Sequence, residues 1–309
     1  MPSNQSPLGA LPSRFRRERV LIIGCGDIGL RAAGQLPGTL RLLALTSSPE
    51  RRPTLRSQGI TPLCGNLDDP QSLLRLSGLA TRVLHLAPPP GEDRHDPRTR
   101  NLLRALQLRG APRALVYGST SGVYGDCQGA IVNETRAVAA TTPRALRRVD
   151  AETAVRLLGR RASRVRTSIL RIPGIYAPDR DGGTPEARLR KGTPVLERSD
   201  DVFTNHIHAD DLARACVKAL WCGRPQRVYN VNDDSQMRMG DYFDFAADLY
   251  GLPRPPRVPR HAAQGQLSLM LLSFMSESRR MDNTRMKREL RLRLRYPTVD
   301  TGLVSDRQT

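Results

Sequence analysis

Val20-Leu21-Ile22-Ile23-Gly24-Cys25-Gly26-Asp27-Ile28-Gly29 is the stretch on which the fold turns. Four apolar residues in a row suit a strand buried on both faces, and Ile28, Leu30, Ala32, Ala33 and Leu36 then recur at helical spacing up to Pro37. A Gly-x-Gly-x-x-Gly that follows a strand and opens a helix is the fingerprint of a dinucleotide-binding turn. In that reading Gly24 makes the tight turn, Gly26 lets a pyrophosphate approach the backbone, and Gly29 lets helix and strand pack closely. The anion rests on the helix N-terminus, beside Asp27 and Ile28.

Working outward, apolar runs at Leu40–Leu45, Val83–Ala87, Ala114–Tyr117 and Thr167–Arg171 alternate with helical patterns. Parallel strands need crossover connections, so this alternation predicts a doubly wound Rossmann α/β sheet covered by helices on both faces. Residues 1–17 read as a flexible tail and 18–172 as the dinucleotide-binding domain. Residues 173–309, with loops at Pro178–Thr184 and Gly251–Pro259, read as a smaller C-terminal substrate-binding lobe. Within it Phe203–His208 and Arg227–Val231 read as strands returning to the main sheet, with Asp210 or Asp211 capping a helix. The apolar stretch Leu267–Met275 reads as a helix packed inside the lobe.

The dinucleotide's identity turns on the end of the second strand. An acidic residue about 20 positions past the glycine loop binds the ribose hydroxyls of NAD. Here Thr46, Ser47 and Ser48 stand instead, followed by Arg51 and Arg52, which suit the 2′-phosphate of NADP. NADP is the expected cofactor, with NAD left open. Asp68, after the third strand, either reaches the adenine or caps a helix.

The formal charge of +19 comes from 49 basic residues, all arginine except Lys191, Lys218 and Lys287. The arginines are spread through every helical pattern, and aromatic residues make up only 4%, so nucleic-acid binding ranks last among the readings. The five cysteines show no Cys-x-x-Cys pair or metal spacing, as befits a reducing compartment. No apolar run approaches the roughly 18 residues of a membrane span. The expected location is the cytoplasm. His206 and His208 share one strand face but lack further ligands at metal-binding spacing, so no metal is expected. No Gly-x-Ser-x-Gly elbow supports a hydrolase.

From roughly Arg19 to Pro297 the chain resembles the extended short-chain dehydrogenase/reductase superfamily, its nucleotide-sugar epimerase/dehydratase group, and most closely the atypical members. The matching segments, in order, are Val83-Leu84-His85-Leu86-Ala87, Ser119-Thr120-Ser121-Gly122-Val123-Tyr124-Gly125-Asp126, Leu170-Arg171-Ile172-Pro173-Gly174-Ile175-Tyr176, Ile207-His208-Ala209-Asp210-Asp211-Leu212-Ala213 and Val228-Tyr229-Asn230-Val231. The resemblance implies that Asn66, Leu67, Asp68, Leu86, Ala87 and Pro88 line the dinucleotide, and that Arg144, Pro173, Ile175 and Tyr176 meet a small carbonyl or sugar-like substrate. It leaves a homodimer open.

In that superfamily a Tyr-x-x-x-Lys pair handles the proton, the lysine lowering the tyrosine pKa, while a Ser or Thr polarises the substrate oxygen. Thr120 falls on the hydroxyl position. Counted back from Ala151-Glu152, the tyrosine and lysine positions hold Arg144 and Arg148, and no tyrosine in the chain has a lysine four residues on. Arginine cannot act as a base near neutrality. Two readings stay open: a redox enzyme in which Tyr124, supported by the charge of Arg144 or Arg148, handles the proton, and a non-catalytic module that senses NADP or holds a partner. The arginine that holds a diphosphate in nucleotide-sugar enzymes is replaced by Thr204, leaving Arg279, Arg280 or Arg285 to hold an anion.

Overall fold

The computed structural model describes residues 18–304 except Ser163. The tail expected at 1–17 lies outside the described residues.

Seven strands form one parallel sheet: β1 (Arg19–Ile23), β2 (Arg41–Thr46), β3 (Thr61–Cys64), β4 (Arg82–His85), β5 (Ala114–Thr120), β6 (Arg166–Ile172) and β7 (Arg227–Asn230). Their spatial order is β3-β2-β1-β4-β5-β6-β7, with Ile23 opposite both Leu45 and His85, and Tyr117 opposite both His85 and Ile169. Because side chains alternate across a strand, the apolar runs split between two cores. Val20, Ile22, Ala44, Leu84, Val116 and Leu170 pack under helices α1 (Asp27–Gly34) and α5 (Ala209–Cys222). Leu21, Ile23, Leu43, Val83, Leu115 and Ile169 pack under α3 (Pro97–Gln107) and α4 (Pro143–Arg161) on the other face, while the short α2 (Arg52–Ser57) leads into β3. Burial on both faces explains why these strands read as continuous apolar runs. The strand order reverses between β1 and β4, where the strand ends part and leave a crevice.

A third apolar cluster is built from Leu189, Val195, Leu196 and helix α6 (Met239–Tyr250), with Leu267 and Met275 beside the short helix Leu269–Phe274. Among the described residues no helix is long and apolar enough to cross a membrane.

Two local expectations are corrected. Phe203–His208 does not rejoin the main sheet: Phe203–Thr204 pairs antiparallel with Met237–Arg238, and His206–His208 pairs parallel with Gly174–Tyr176. Only β7 returns, on β6. The cap of α5 is His208, whose Nδ1 accepts from the Asp210 amide at 3.2 Å. Asp210 and Asp211 are freed for other work. Asp210 pairs with Arg31, and the fully buried Asp211 accepts the amides of Arg295 and Tyr296.

Candidate active site

The glycine loop joins β1 to α1 in a cradle that each glycine shapes differently. Gly24 has φ +80°, and a Cβ there would lie 2.6 Å from the Ala87 Cα. The close approach is fixed by the Leu86 and Ala87 amides, which both donate to the Ile23 carbonyl. A Cβ on Gly29 would lie 3.2 Å from the Gly24 carbonyl and 3.3 Å from Ile22 Cγ2, so helix and strand are already in contact. A Cβ on Gly26 would meet nothing within 4 Å. Gly26 also caps α1 without a side-chain hydrogen bond, leaving the first helical amides for an incoming anion.

Around this loop lies a cleft of about 460 Å³ lined by Gly24, Gly26, Asp27, Ile28, Gly29, Arg51, Leu86, Pro88, Thr120, Arg148, Pro173 and Ile175 together with Arg180. Thr46, Asn66, Leu67, Asp68 and Ala87 are not among its lining residues. Thr46 Oγ1 closes a tight turn with the Ser48 amide and carbonyl, and Leu67 is buried with its carbonyl held by Asn101. Asn66 Oδ1 accepts from the Asp68 amide. The Asp68 carboxylate is held on two bonds by Arg98, at 2.7 and 2.6 Å, which lowers its pKa.

Two side chains reach over the loop. Arg51 Nη2 donates to the Cys25 carbonyl at 2.7 Å. Burial pushes the Cys25 thiol up to about 11 against the pull of Arg51, so this cysteine is an inert small residue at neutral pH. Arg180 Nε donates to Asp27 at 2.8 Å, and Arg31 ties Asp27 to Asp179 and Asp210.

Thr120, at the end of β5, lies on the rim shared by this cleft and a second cavity of about 490 Å³. Pro173, Ile175 and Arg180 complete the shared rim. Thr120 Oγ1 accepts from the Gly122 amide at 3.3 Å, which leaves its own proton free to donate. Arg148 donates to the Gly118 carbonyl at 2.8 Å and to the Tyr117 hydroxyl at 3.1 Å, on the cleft side. Arg144 lies on the cavity side with its guanidinium 4.6 Å over the Phe274 ring. One helical turn thus places the two arginines in different chambers.

Tyr124 leaves the site. It is 1% exposed, lines neither chamber, and donates its hydroxyl to Asn230 Oδ1 at 2.7 Å. Its arginine neighbour is Arg171, 4.6 Å from the ring, rather than Arg144 or Arg148. Burial raises the phenol pKa despite that charge, which disfavours the phenolate that would have to accept a proton. The physical reason is a buried polar network under the strand ends, in which Glu152 takes two bonds from Arg171 and one from Ser119. Tyr117 is no better, pushed up to about 12 by burial, and Tyr176 lines the cavity but donates to the Thr298 carbonyl.

Residues that sequence reasoning missed complete the second cavity. Among the described residues Glu277 is the only carboxylate that lines it, paired with Arg279 at 2.8 Å. A Cβ on Gly122 would be 3.7 Å from Thr120 Cγ2 and 3.8 Å from Glu277 Oε2, so the missing side chain leaves open the space that both residues border. Of the three anion-holding candidates near the C-terminal end, only Arg279 lines the cavity. Arg280 bonds the Gly129 carbonyl and Arg285 the Val228 carbonyl. No sequence spacing marks Arg180, Arg188 or Glu277; they meet only through the fold.

Residues 21–232 match the family model of the NAD dependent epimerase/dehydratase family, and the chain belongs to that family. A structure of a functionally unknown conserved protein from Silicibacter pomeroyi is 30% identical, with 94% of this chain and 98% of that one covered and a TM-score of 0.78. UDP-glucose 4-epimerase from Thermotoga maritima, solved with UDP-glucose, is 16% identical over 92% and 96% of the two chains, TM-score 0.74. A double mutant of the dTDP-glucose 4,6-dehydratase DesIV from Streptomyces venezuelae, solved with NAD, is 19% identical over 92% and 94%, TM-score 0.73. No curated protein matches the sequence.

Proposed function

We propose that the chain binds a nicotinamide dinucleotide, NADP(H) ahead of NAD(H), and moves hydride between it and a carbonyl or alcohol carbon of a small, sugar-like substrate. The observation that carries this reading is the rim at Thr120, where the glycine-loop cleft meets a separate chamber of similar size. The open face of Gly26 and the uncapped amides of α1 fit a pyrophosphate. The absence of a carboxylate at the end of β2, together with Arg51 on the loop, favours a 2′-phosphate.

When bound, the dinucleotide supplies the hydride donor or acceptor. Thr120 donates its free proton to the substrate oxygen and orients it. Arg148, fixed on the Gly118 carbonyl, holds positive charge at the junction but cannot take a proton. In alcohol oxidation the hydroxyl proton passes to Glu277, the carboxylate that lines the same cavity as Thr120, as hydride leaves the carbon. In carbonyl reduction both move the other way. A second reading, dinucleotide binding without turnover, draws on the arginines that stand at the tyrosine and lysine positions.

Fluorescence titration with NADPH and NADH, followed by a screen of carbonyl substrates, separates these. NADPH is expected to bind more tightly and to be oxidised by at least one compound. Thr120→Ala and Glu277→Gln should each lower kcat about 100-fold with NADPH affinity kept, whereas Tyr124→Phe should leave kcat within about twofold. Tight binding with no turnover across the screen would support the second reading, and binding of neither nucleotide would sink both.

A further inference from the structure

The second cavity carries more positive charge than its own residues neutralise. Four arginines line it, Arg144, Arg180, Arg188 and Arg279, against the single carboxylate of Glu277. Two of the four are paired with a carboxylate: Arg180 with Asp27, besides the Ile175 carbonyl, and Arg279 with Glu277, besides the Gly125 carbonyl, although the buried Nε of Arg279 has no acceptor. Arg144 and Arg188 have no carboxylate within ion-pair distance among the described residues.

Arg188 is the more telling of the two. It sits on the short helix Glu186–Arg190, which packs against α6, and its guanidinium lies 4.3 Å over the Phe243 ring. Nε and Nη2 are sealed from solvent without an acceptor, which leaves Nη1 as the guanidinium edge open to the cavity. The nearby acid of its helix, Glu186, is taken by Arg190. A desolvated charge without a counter-ion is costly, and arginine cannot shed its proton to escape the cost. An anion arriving at that edge removes it. Arg188 lines the cavity but not the dinucleotide cleft, so it stands apart from the reacting end at Thr120.

We propose that the substrate carries an anionic group, a phosphate ester or a carboxylate, remote from its reacting carbon, and that Arg188 holds that group. The apolar wall of Phe243 and Tyr242 receives the intervening carbon skeleton. The inference rests on the reading of this cavity as the substrate chamber, and its test is separable from the test of that reading.

The full chain, saturated with NADPH so that the glycine loop is occupied, is titrated calorimetrically with inorganic phosphate and with malonate. At least one anion is expected to bind, and Arg188→Leu should weaken it about tenfold or more. Arg188→Lys should recover part of the loss, and Lys191→Leu, on the exposed end of the same helix, should change nothing. Phosphate binding alone points to a phosphate ester, malonate binding alone to a carboxylate. Equal binding to the parent and Arg188→Leu, or binding of neither anion to the parent, overturns the proposal. Arg188→Gln gives the same comparison should the leucine variant fail to fold. If NADPH itself does not bind, the functional reading falls, while the titration of the free chain still reports on Arg188.

Discussion

Three glycines spaced along one loop have separable roles, and substitution can tell them apart. Gly24→Ala forces a side chain onto a φ of +80° and into the Ala87 backbone, so it should cost about 2–4 kcal/mol of stability. A Cβ at Gly26 meets no atom within 4 Å, so in Gly26→Asp the melting temperature should hold while NADPH binding is lost. Thermal melts and fluorescence titration of the pair check this; a stable Gly24→Ala or an NADPH-binding Gly26→Asp would refute the assignment. The turn at Gly24 and the close packing at Gly29 were legible in the sequence because the strand–loop–helix order around them is local, whereas the approach of Ala87 to Gly24 was not. The role of Tyr124 was not, because its partner Asn230 lies more than 100 residues away and only the fold sinks both beneath the strand ends. Arg188 and Glu277 are likewise ordinary surface residues by sequence, and come to line one cavity only because segments distant in the chain enclose a common space.

At the scale of elements, helix α4 is the hinge of the resemblance and of the departure from it. Its N-terminal half sends Arg144 and Arg148 into the two chambers, and its middle sends Glu152 inward to anchor β5 through Ser119 and β6 through Arg171. Arg171 is 1% exposed and Glu152 supplies its carboxylate, so Glu152→Ala leaves a buried guanidinium without a counter-charge. Unfolding in urea should show a loss of about 3–5 kcal/mol. A loss below about 1 kcal/mol would mean that the network is incidental. The sheet strands other than β3 were legible from their apolar runs, which burial on both faces produces; β3 lies at the sheet edge with no residue buried and has no such run. The short strands Phe203–Thr204 and His206–His208 were misplaced, because a two- or three-residue strand carries no periodicity to say which sheet it joins.

For the whole molecule, burial of neutral histidines sets an acid limit. Burial, aided by the charge of Arg148, holds His85 down to about 3, and burial alone holds His206 down to about 4. Both lie below the unfolded value of about 6.5. Between the folded and unfolded values the unfolded chain binds more protons, so stability is complete above pH 6.5 and falls as the pH drops toward 4. The slope should approach about 1.4 kcal/mol per pH unit for each histidine. Denaturant unfolding at pH 7.5, 6 and 5 reads it directly, and a flat profile would contradict the burial of both rings.

The return of β7 also fixes an order of events in time. Residues 173–226 separate it from its partner β6, whereas β1 to β6 are joined by shorter crossovers. Its connection is the longest between consecutive sheet strands, and it pairs with β6 alone, so β7 should dock only on a β6 already in place. Until it docks, β6 presents a bare row of amides and carbonyls of the kind that recruits strands from other molecules. The yield of refolding should therefore depend on protein concentration during that docking step.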